Sequence, residues 1–562
     1  MRSSHLLMVL ILLYQSACTP VETGITLDDL SDKTEYTEGM IVACKTFMGE
    51  PVNRIVLNDR ADNSPDVLDM RSAGYYRIEI YTRGSKGSDK DVIRLVVLDP
   101  VRGQPEWGLP KWVPEGIQVG SIGEHSVQLI YPHLAPENAR LPMIAIAGGQ
   151  IAESLINLHG QVDSRSFLVK RGVGSCWIPA DPSARSVTID NQSFHLEVEN
   201  TSAPPLELDD HLMADTEIPP RSYLHISSDL YIPQGITLSI GQGSFITLEQ
   251  GINIYNDGRM VIEGTAEAPV TLTCSDENSY WGGMIGSANG NRVEASYALF
   301  CRSGFHTGAD YDYGHAHRQA LFYNENGSLQ LDHCYMIDHI GQVFYPLNAS
   351  MELDYCLVQR VKTGGQANFS QVYINHSVFT DFPDDSLIYQ DEDNDGFYIH
   401  GCDAEIMNSI FMYATDDGLD SGGGEGGNVN VTNTRFESIF HEGAALSSGW
   451  QAVKNHRFRN CFFTDCGQGL ELGFSGVDHT VEVDSCTFLE NGVGIRYGDN
   501  YDWHHSGLLK VSNSVIRNSS YHDVWNMLRE EWAADTSRME FQNVIVSSWD
   551  PMYPGLIVEQ GE

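Results

Sequence analysis

Side chains able to do chemistry concentrate between Asp391 and Ser448, in the segments DEDNDGFYIHG, ATDDGLDSGGGEGG and FHEGAALSS. Each segment sets acidic or imidazole groups just ahead of a glycine, and these glycines, Gly396, Gly418 and Gly443, lie 22 and 25 residues apart. If those intervals are turns of a coiled β-sheet, Asp395, Asp417 and Glu442 stack in one file, with Asn394, Asp416 and His441 in a second file beside it. Three carboxylates at about one strand spacing repel one another strongly when ionised and dry. They need a cation, a shared proton or a basic partner. Calcium suits hard oxygen donors so placed, which makes Asp395, Asp417 and Glu442 a candidate metal set. A shared proton raises one pKa toward the range of a general acid. Asp395, Asp416, Asp417 and His441 are the catalytic candidates, with Glu442 in support. Arg496, two residues after Gly494, shares a column with Glu471, Asp420 and Tyr398, and these four are candidate substrate-binding residues. The competing readings are a salt-bridged ladder of Glu471 and Arg496 on a wet face, and a purely architectural acidic cluster.

Such files require a repeat, and the chain has one. The pattern apolar-x-apolar-x-polar-small-x-apolar recurs in LQLDHCYM, MELDYCLV, VYINHSVF, AEIMNSIF, VNVTNTRF, HRFRNCFF, VEVDSCTF and LKVSNSVI. Its small residues, from Cys334 and Cys356 to Ser514, are 21 to 32 apart, the period of a solenoid. Stacked strands then place Asn408, Asn433, Asn460 and Asn513 in an amide ladder. The cysteines of the small column read as buried filler, with disulfides along it left open. A glycine column, Gly341, Gly365, Gly396, Gly418, Gly443, Gly469 and Gly494, marks either a turn at positive φ or a close backbone approach. Its one long interval holds PDDSLIYQDEDN, an insertion expected to overhang the acidic file.

In these short glycine-broken strands, and in GTAEAPV and YWGG, residues 221 to about 550 resemble right-handed parallel β-helix proteins of the pectate-lyase-like class. Asn394-Asp395-Gly396 followed by Asp416-Asp417 is similar to the catalytic strands of polygalacturonase-type hydrolases, which invert the anomeric centre. That resemblance implies that Asp395 or Asp417 protonates the leaving oxygen while another carboxylate activates water. His441 lies one position early for that family's histidine, Glu442 takes its slot, and the family's arginine-x-lysine clamp is not evident downstream. The neighbouring lyase chemistry neutralises a uronate with calcium or a basic residue and removes the C5 proton with arginine or lysine, for which Arg496 is the candidate. A sugar epimerase on the same fold is a third possibility.

The 562 residues carry 76 acidic and 34 basic side chains, a formal charge of -42. That field excludes nucleic acid and anionic membrane surfaces as partners, and repels polyanionic glycans unless cations or a local basic patch offset it. Arg2 and His5 precede LLMVLILLY, too short to span a bilayer and typical of a secretory signal. Gln15-Ser16-Ala17-Cys18 then resembles a bacterial lipoprotein box, so residues 1–18 are expected to be a signal peptide and Cys18 to be lipidated, with plain secretion as the alternative. The other ten cysteines show no CxxC or zinc spacing. Residues 19–100 read as an immunoglobulin-like β-sandwich closed by the hairpin AGYYRIEIYTR/VIRLVVLDP, and 101–205 as a second β-rich module. The prolines of SAPPLELDD and EIPP mark a linker at 206–220, and 221–562 is the coil, with YHDVWNMLREEWAA as a short capping helix. DYDYGHAHR, with His315, His317, Asp310 and Asp312, and the aromatic run YDWHH are weaker candidates for metal and sugar contact.

The expected protein is all-β: a right-handed parallel β-helix preceded by two β-sandwich modules. It is exported, at the cell surface or outer membrane, touches the membrane only through a lipid anchor, and acts on a polysaccharide or surface glycan. The competitor is a non-enzymatic binding or adhesion protein whose acidic ladder holds calcium or is structural.

Overall fold

In the computed structural model of the chain, the repeated motif is a strand, a corner and the start of the next strand. Within LQLDHCYM, Ser328–Asp332 is a strand that buries Leu329 and Leu331, His333 turns the corner at φ 50°, and Tyr335–Leu347 begins the next face. Thirteen such motif strands, from Thr216–Ile218 to Met539–Gln542, form one parallel sheet. The other strands from 223 onward join in a second sheet of 25 that wraps the remaining two faces. The result is a three-faced coil with an apolar axis. The structure describes parts of 25–97, most of 127–201, and 202–558 apart from 306–311, 315–316, 383–393, 423–426, 448–453, 474–478, 499–506, 521, 527–538 and 548–555. Cys18, His315, the 383–393 insertion and YDWHH lie outside the described residues.

One corner shows why the motif has its polar residue. Tyr297, His333, Tyr355, His376, Asn408, Asn433, Asn460, Ser485, Asn513 and Asn543 occupy it in turn, all with φ between 44° and 57°. That left-handed region costs most residues about 1–2 kcal/mol, and asparagine tolerates it best. Asn408, Asn433 and Asn460 each donate an amide N–H to the asparagine one coil below, at 2.9, 3.2 and 2.6 Å, so the expected ladder holds for these three, while Ser485 interrupts it and Asn513 donates to Asp484 at 2.9 Å instead. Lower down, Tyr297, His333, Tyr355 and His376 continue the column as a ring stack with centroids 4.4–4.8 Å apart. The small residue after the corner works too: Ser377 Oγ accepts the Cys356 N–H and Ser409 Oγ the Ser377 N–H, both at 3.1 Å. The ten described cysteines are all free thiols.

Three expectations change. Residues 206–220 are the first coil rather than a linker: Leu206 and His211 bridge to Leu224 and Tyr231, and Thr216–Ile218 pairs with Thr237–Gly241. Prolines here sit between strands, where no ladder N–H is needed. The start of the expected capping helix, His522–Asn526, is a strand stacked on Val493–Tyr497, and 527–538 lies outside the described residues.

The third change concerns the second module, which does not stand apart from the coil. Leu141–Ala147 lies between Val127–Ile130 and Val173–Ile178. Ile130, Ile144, Ile146 and Val173 share a buried cluster with Leu299, Tyr335, Leu357 and Ile410 of the coil. Buried ion pairs cross the same seam, Lys170 to Asp381 at 2.5 Å and Arg171 to Glu437 with Nε–Oε2 at 2.9 Å.

Residues 1–100 form a separate compact unit. There Gly74–Thr82 and Asp91–Val97 make the expected antiparallel hairpin, and two small sheets enclose Val42, Ile55, Leu68, Ile78 and Ile93. The immunoglobulin-like assignment of either module rests on sequence alone.

Candidate functional site

The acidic residues sit at one corner of the coil, where the strands Tyr398–His400, Leu419–Gly422, Glu442–Ser447, Gln468–Gly473 and Val493–Tyr497 begin. Gly396 donates its N–H to the Asp417 carbonyl at 2.7 Å and Gly418 donates to that of Glu442 at 2.9 Å. Together with the pairs Tyr398↔Asp420 and Asp420↔Ala445, this puts Asp395, Asp417 and Glu442 one above another. The file continues to Gln468 and Val493. The adjacent column is Tyr398, Asp420, Ala445, Glu471 and Arg496.

Glycine follows the file because of what lies beneath it. Phe379, Phe411, Phe436, Phe463 and Phe488 stack at 4.5–5.4 Å along the interior. A Cβ on Gly443 would meet Phe463 Cδ1 at 2.9 Å and the Gly469 carbonyl oxygen at 2.6 Å. Close approach, not positive φ, is the requirement here. One coil lower the column needs correction. The register Gln366↔Tyr398 sets Gly364 rather than Gly365 against Gly396, and Thr363 below Asp395, where its hydroxyl donates to the Asp395 carbonyl at 3.0 Å. An extra residue between His339 and Gln342 shifts the register beneath, which removes Gly341 from the column.

His441 Nδ1 lies 3.3 Å from Asp416 Oδ1 and 3.2 Å from Asp417 Oδ1, and makes a shorter contact with Glu442 Oε2. Asp417 Oδ1 also accepts the Glu442 N–H at 3.0 Å. Glu442 is wholly buried, with Gln468 Nε2 donating to its Oε1 and Arg496 4.0 Å away. Burial, then the charge of Glu442, pushes the Asp417 carboxyl well above the usual carboxylate range. Burial would also raise Glu442. His441, the Asp417 carboxyl and Arg496 outweigh it and hold Glu442 below its ordinary value. Of the two carboxyls, Asp417 is therefore the more readily protonated and Glu442 the more readily ionised.

The file does not face open water: Asp395, Asp416 and Asp417 are 3%, 6% and 7% exposed. Glu442, expected both in support of catalysis and as a metal ligand, is turned to Gln468 and Arg496. Its place in the oxygen cluster falls to Asp420, which with Asp395 and Asp417 brings one carboxylate oxygen each within 4.8 Å of the others. A second such group is Asp416, Asp417 and His441. Calcium bound at about 2.3–2.6 Å fits between oxygens so spaced. Asn394, next to Asp395, also keeps a buried Oδ1 without a hydrogen-bond partner among the described residues. Arg496 and Glu471 form an ion pair, but in the interior and not on a wet face, and Tyr398 is buried in the same column. Spacing does not single out Lys454, which lies outside the repeat motif. It is buried, reaches the Gly422 carbonyl at 3.4 Å, and interacts with Asp420, while burial lowers its pKa.

Residues 395–525 match the family model described as right handed beta helix region. Among solved structures, the alginate lyase from Paenibacillus sp. str. FPU-7 aligns over 51% of this chain and 91% of its own, at 10% identity and a TM-score of 0.22. So loose an overlap bears on neither substrate nor mechanism. No curated protein matches the chain. The family match and the parallel stacking from Thr216 to Val558 agree, and the chain carries a right-handed parallel β-helix.

Proposed function

We propose that this protein acts on carbohydrate and cleaves a polysaccharide at the corner formed by Asp395, Asp416, Asp417 and His441. The observation that carries the reading is the cluster of Asp416, Asp417 and His441, with the imidazole 3.2–3.3 Å from both aspartates. In it, burial and the charge of Glu442 raise the Asp417 carboxyl while Glu442 is held low. Two carboxyl groups with pKa values driven apart are the arrangement from which general acid and base roles arise. Asp417 would give its proton to the leaving oxygen. Asp395 or Asp416 would accept one from water or from the sugar. His441 and Glu442 would position Asp417 from behind, and Asp420, the partly exposed member of the neighbouring column, would steady the sugar.

The test is a panel of polysaccharides incubated with wild-type protein and Asp417→Asn. Hydrolysis releases reducing ends alone, and a lyase also yields unsaturated products that absorb in the ultraviolet. Loss of the acid is expected to lower turnover by about 10²–10⁴-fold. Turnover that survives the substitution would refute the assignment.

The second reading rests on Asp395, Asp417 and Asp420, whose clustered oxygens suit calcium in a binding or adhesion protein without turnover. It wins if no glycan is cleaved while calcium raises the melting temperature of wild type but not of Asp417→Asn. We also propose export and lipid anchoring through Cys18. Mass spectrometry of the mature N-terminus checks this, and an unprocessed Met1 would contradict it.

A further inference from the structure

We propose that the seam between residues 127–201 and the coil binds an acidic oligosaccharide, at a site distinct from the acidic file and whether or not that file cleaves anything. Two cavities of about 420 and 370 Å³ lie along this seam, and Arg140, Trp177 and Arg302 line both of them. Together they have the size of a groove for a few sugar units.

The second cavity gathers Arg140, Arg165, Lys170, Arg302 and Arg360 against one carboxylate, Asp381. In a chain of 76 acids and 34 bases this is a strong local inversion of sign. Two of the cations are already neutralised, Lys170 by Asp381 at 2.5 Å and Arg360 by Asp338 at 2.6 Å. Arg140 has the half-exposed Glu277 3.8 Å away. Arg302 faces the Asp338 carboxylate that it shares with Arg360. Glu137 and Glu277 line the first cavity beside Arg140, and Arg165 brings a guanidinium with no ion pair among the described residues.

Their surroundings are built rather than incidental. Arg302 lies 3.8 Å over the Trp177 indole, whose Nε1–H donates to Asp338 at 2.5 Å, so the ring and its cation are preset. Among the described residues, Arg140 Nε is buried without a hydrogen-bond partner, and so is Thr273 Oγ1 in the first cavity. Such groups are costly to leave unpaired, and an oxygen-rich ligand would satisfy them. Guanidinium forks fit carboxylate or sulfate, while Thr247, Thr273 and Ser275 offer the hydroxyl partners a sugar needs. A basic patch of this kind is also what a strongly acidic chain needs in order to hold a polyanion.

The test is isothermal titration of the full chain, with a chelator present to exclude calcium bridging. The probes are a tetra-uronate, a sulfated tetrasaccharide, a neutral tetrasaccharide and sodium sulfate. One of the two acidic sugars is expected to bind, and the neutral one about tenfold more weakly or not at all. Arg165→Ala and Arg302→Gln are each expected to weaken the acidic sugar about tenfold, and Asp417→Asn to leave it unchanged. Arg165 is exposed, so its replacement keeps the test decisive even if Arg302→Gln disturbs the indole. The proposal is overturned if neither acidic sugar binds, if Arg165→Ala and a folded Arg302→Gln both bind as wild type does, if sulfate alone competes equally, or if Asp417→Asn abolishes binding.

Discussion

Replacing Arg171 with methionine measures how firmly the second module belongs to the coil. Arg171 and Glu437 are 2% and 1% exposed, and the guanidinium meets the carboxylate through two N–O contacts, one of them 2.9 Å. Removing one partner of such a pair costs about 3–5 kcal/mol, because the survivor stays charged and dry. Methionine keeps most of the apolar stem, so little of that loss is packing. Glu437 would retain Arg435 at 3.5 Å, a group whose pKa burial lowers only to about 10 and which is still charged at neutral pH. The expected cost is therefore at the lower end, about 3 kcal/mol. The double variant Arg171→Met/Glu437→Leu strands no buried carboxylate, and Arg435 keeps its place 4.1 Å over Phe462. It should recover most of the loss, with a coupling energy of about 2–3 kcal/mol. Urea denaturation followed by far-UV circular dichroism reads both quantities. A single variant within about 0.5 kcal/mol of wild type, or a double variant equal to the sum of its singles, would refute an integral seam.

Three further outcomes are expected. Asp417, raised in the folded state, keeps a proton that the unfolded chain has released, so its stabilisation is complete below the unfolded pKa and is lost as pH rises through the folded one. Asp417→Asn should therefore gain on wild type as pH rises above the ordinary carboxylate range, and thermal melts whose difference stays constant over that rise would exclude a raised Asp417. Gly443→Ala, which drives a methyl against Phe463 and the Gly469 carbonyl, should cost about 1–3 kcal/mol, and an unchanged melting temperature would show that the column has room. Ser409→Ala strips the acceptor from the buried Ser377 N–H and should cost about 1–3 kcal/mol. Ser409→Cys should recover much of it, as Cys486 Sγ accepts the Cys461 N–H at 3.4 Å, and equal losses in the two variants would deny the ladder its role.

The coil was legible because each rung solves the same problem with the same residues. Asparagine recurs at a corner that demands positive φ, and a small residue recurs where the next rung's N–H needs room or an acceptor. Asp395, Asp417 and Glu442 could be stacked by counting, since their coils contain no bulge. Counting failed where an extra residue sits between His339 and Gln342, because Gly341 mimics the period while standing outside the register. Burial of the file was also hidden, as the spacing of acids carries no sign of whether they face water. The seam left no trace for a different reason. Its ion pairs join residues 211 and 266 apart, and nothing in Lys170 or Arg171 marks them as partners of a repeat far downstream.

Two files in the same coils can be compared directly. At the outer corner, Asn408, Asn433 and Asn460 fill three successive rungs with neutral amides that bond along the stack. At the acidic corner, overlapping rungs carry Asp395, Asp417 and Glu442, and the file then reverts to Gln468 and Val493. An architectural role would be met by the amide solution, which the same coils already use without burying charge. Keeping three carboxyl groups, with Asp417 raised by burial and Arg496 drawn inward beside Glu442, costs stability that stacking alone does not require. Such a departure is what the proposed site would require, and it falls on the rungs that hold Asn394, Asp416 and His441 as well.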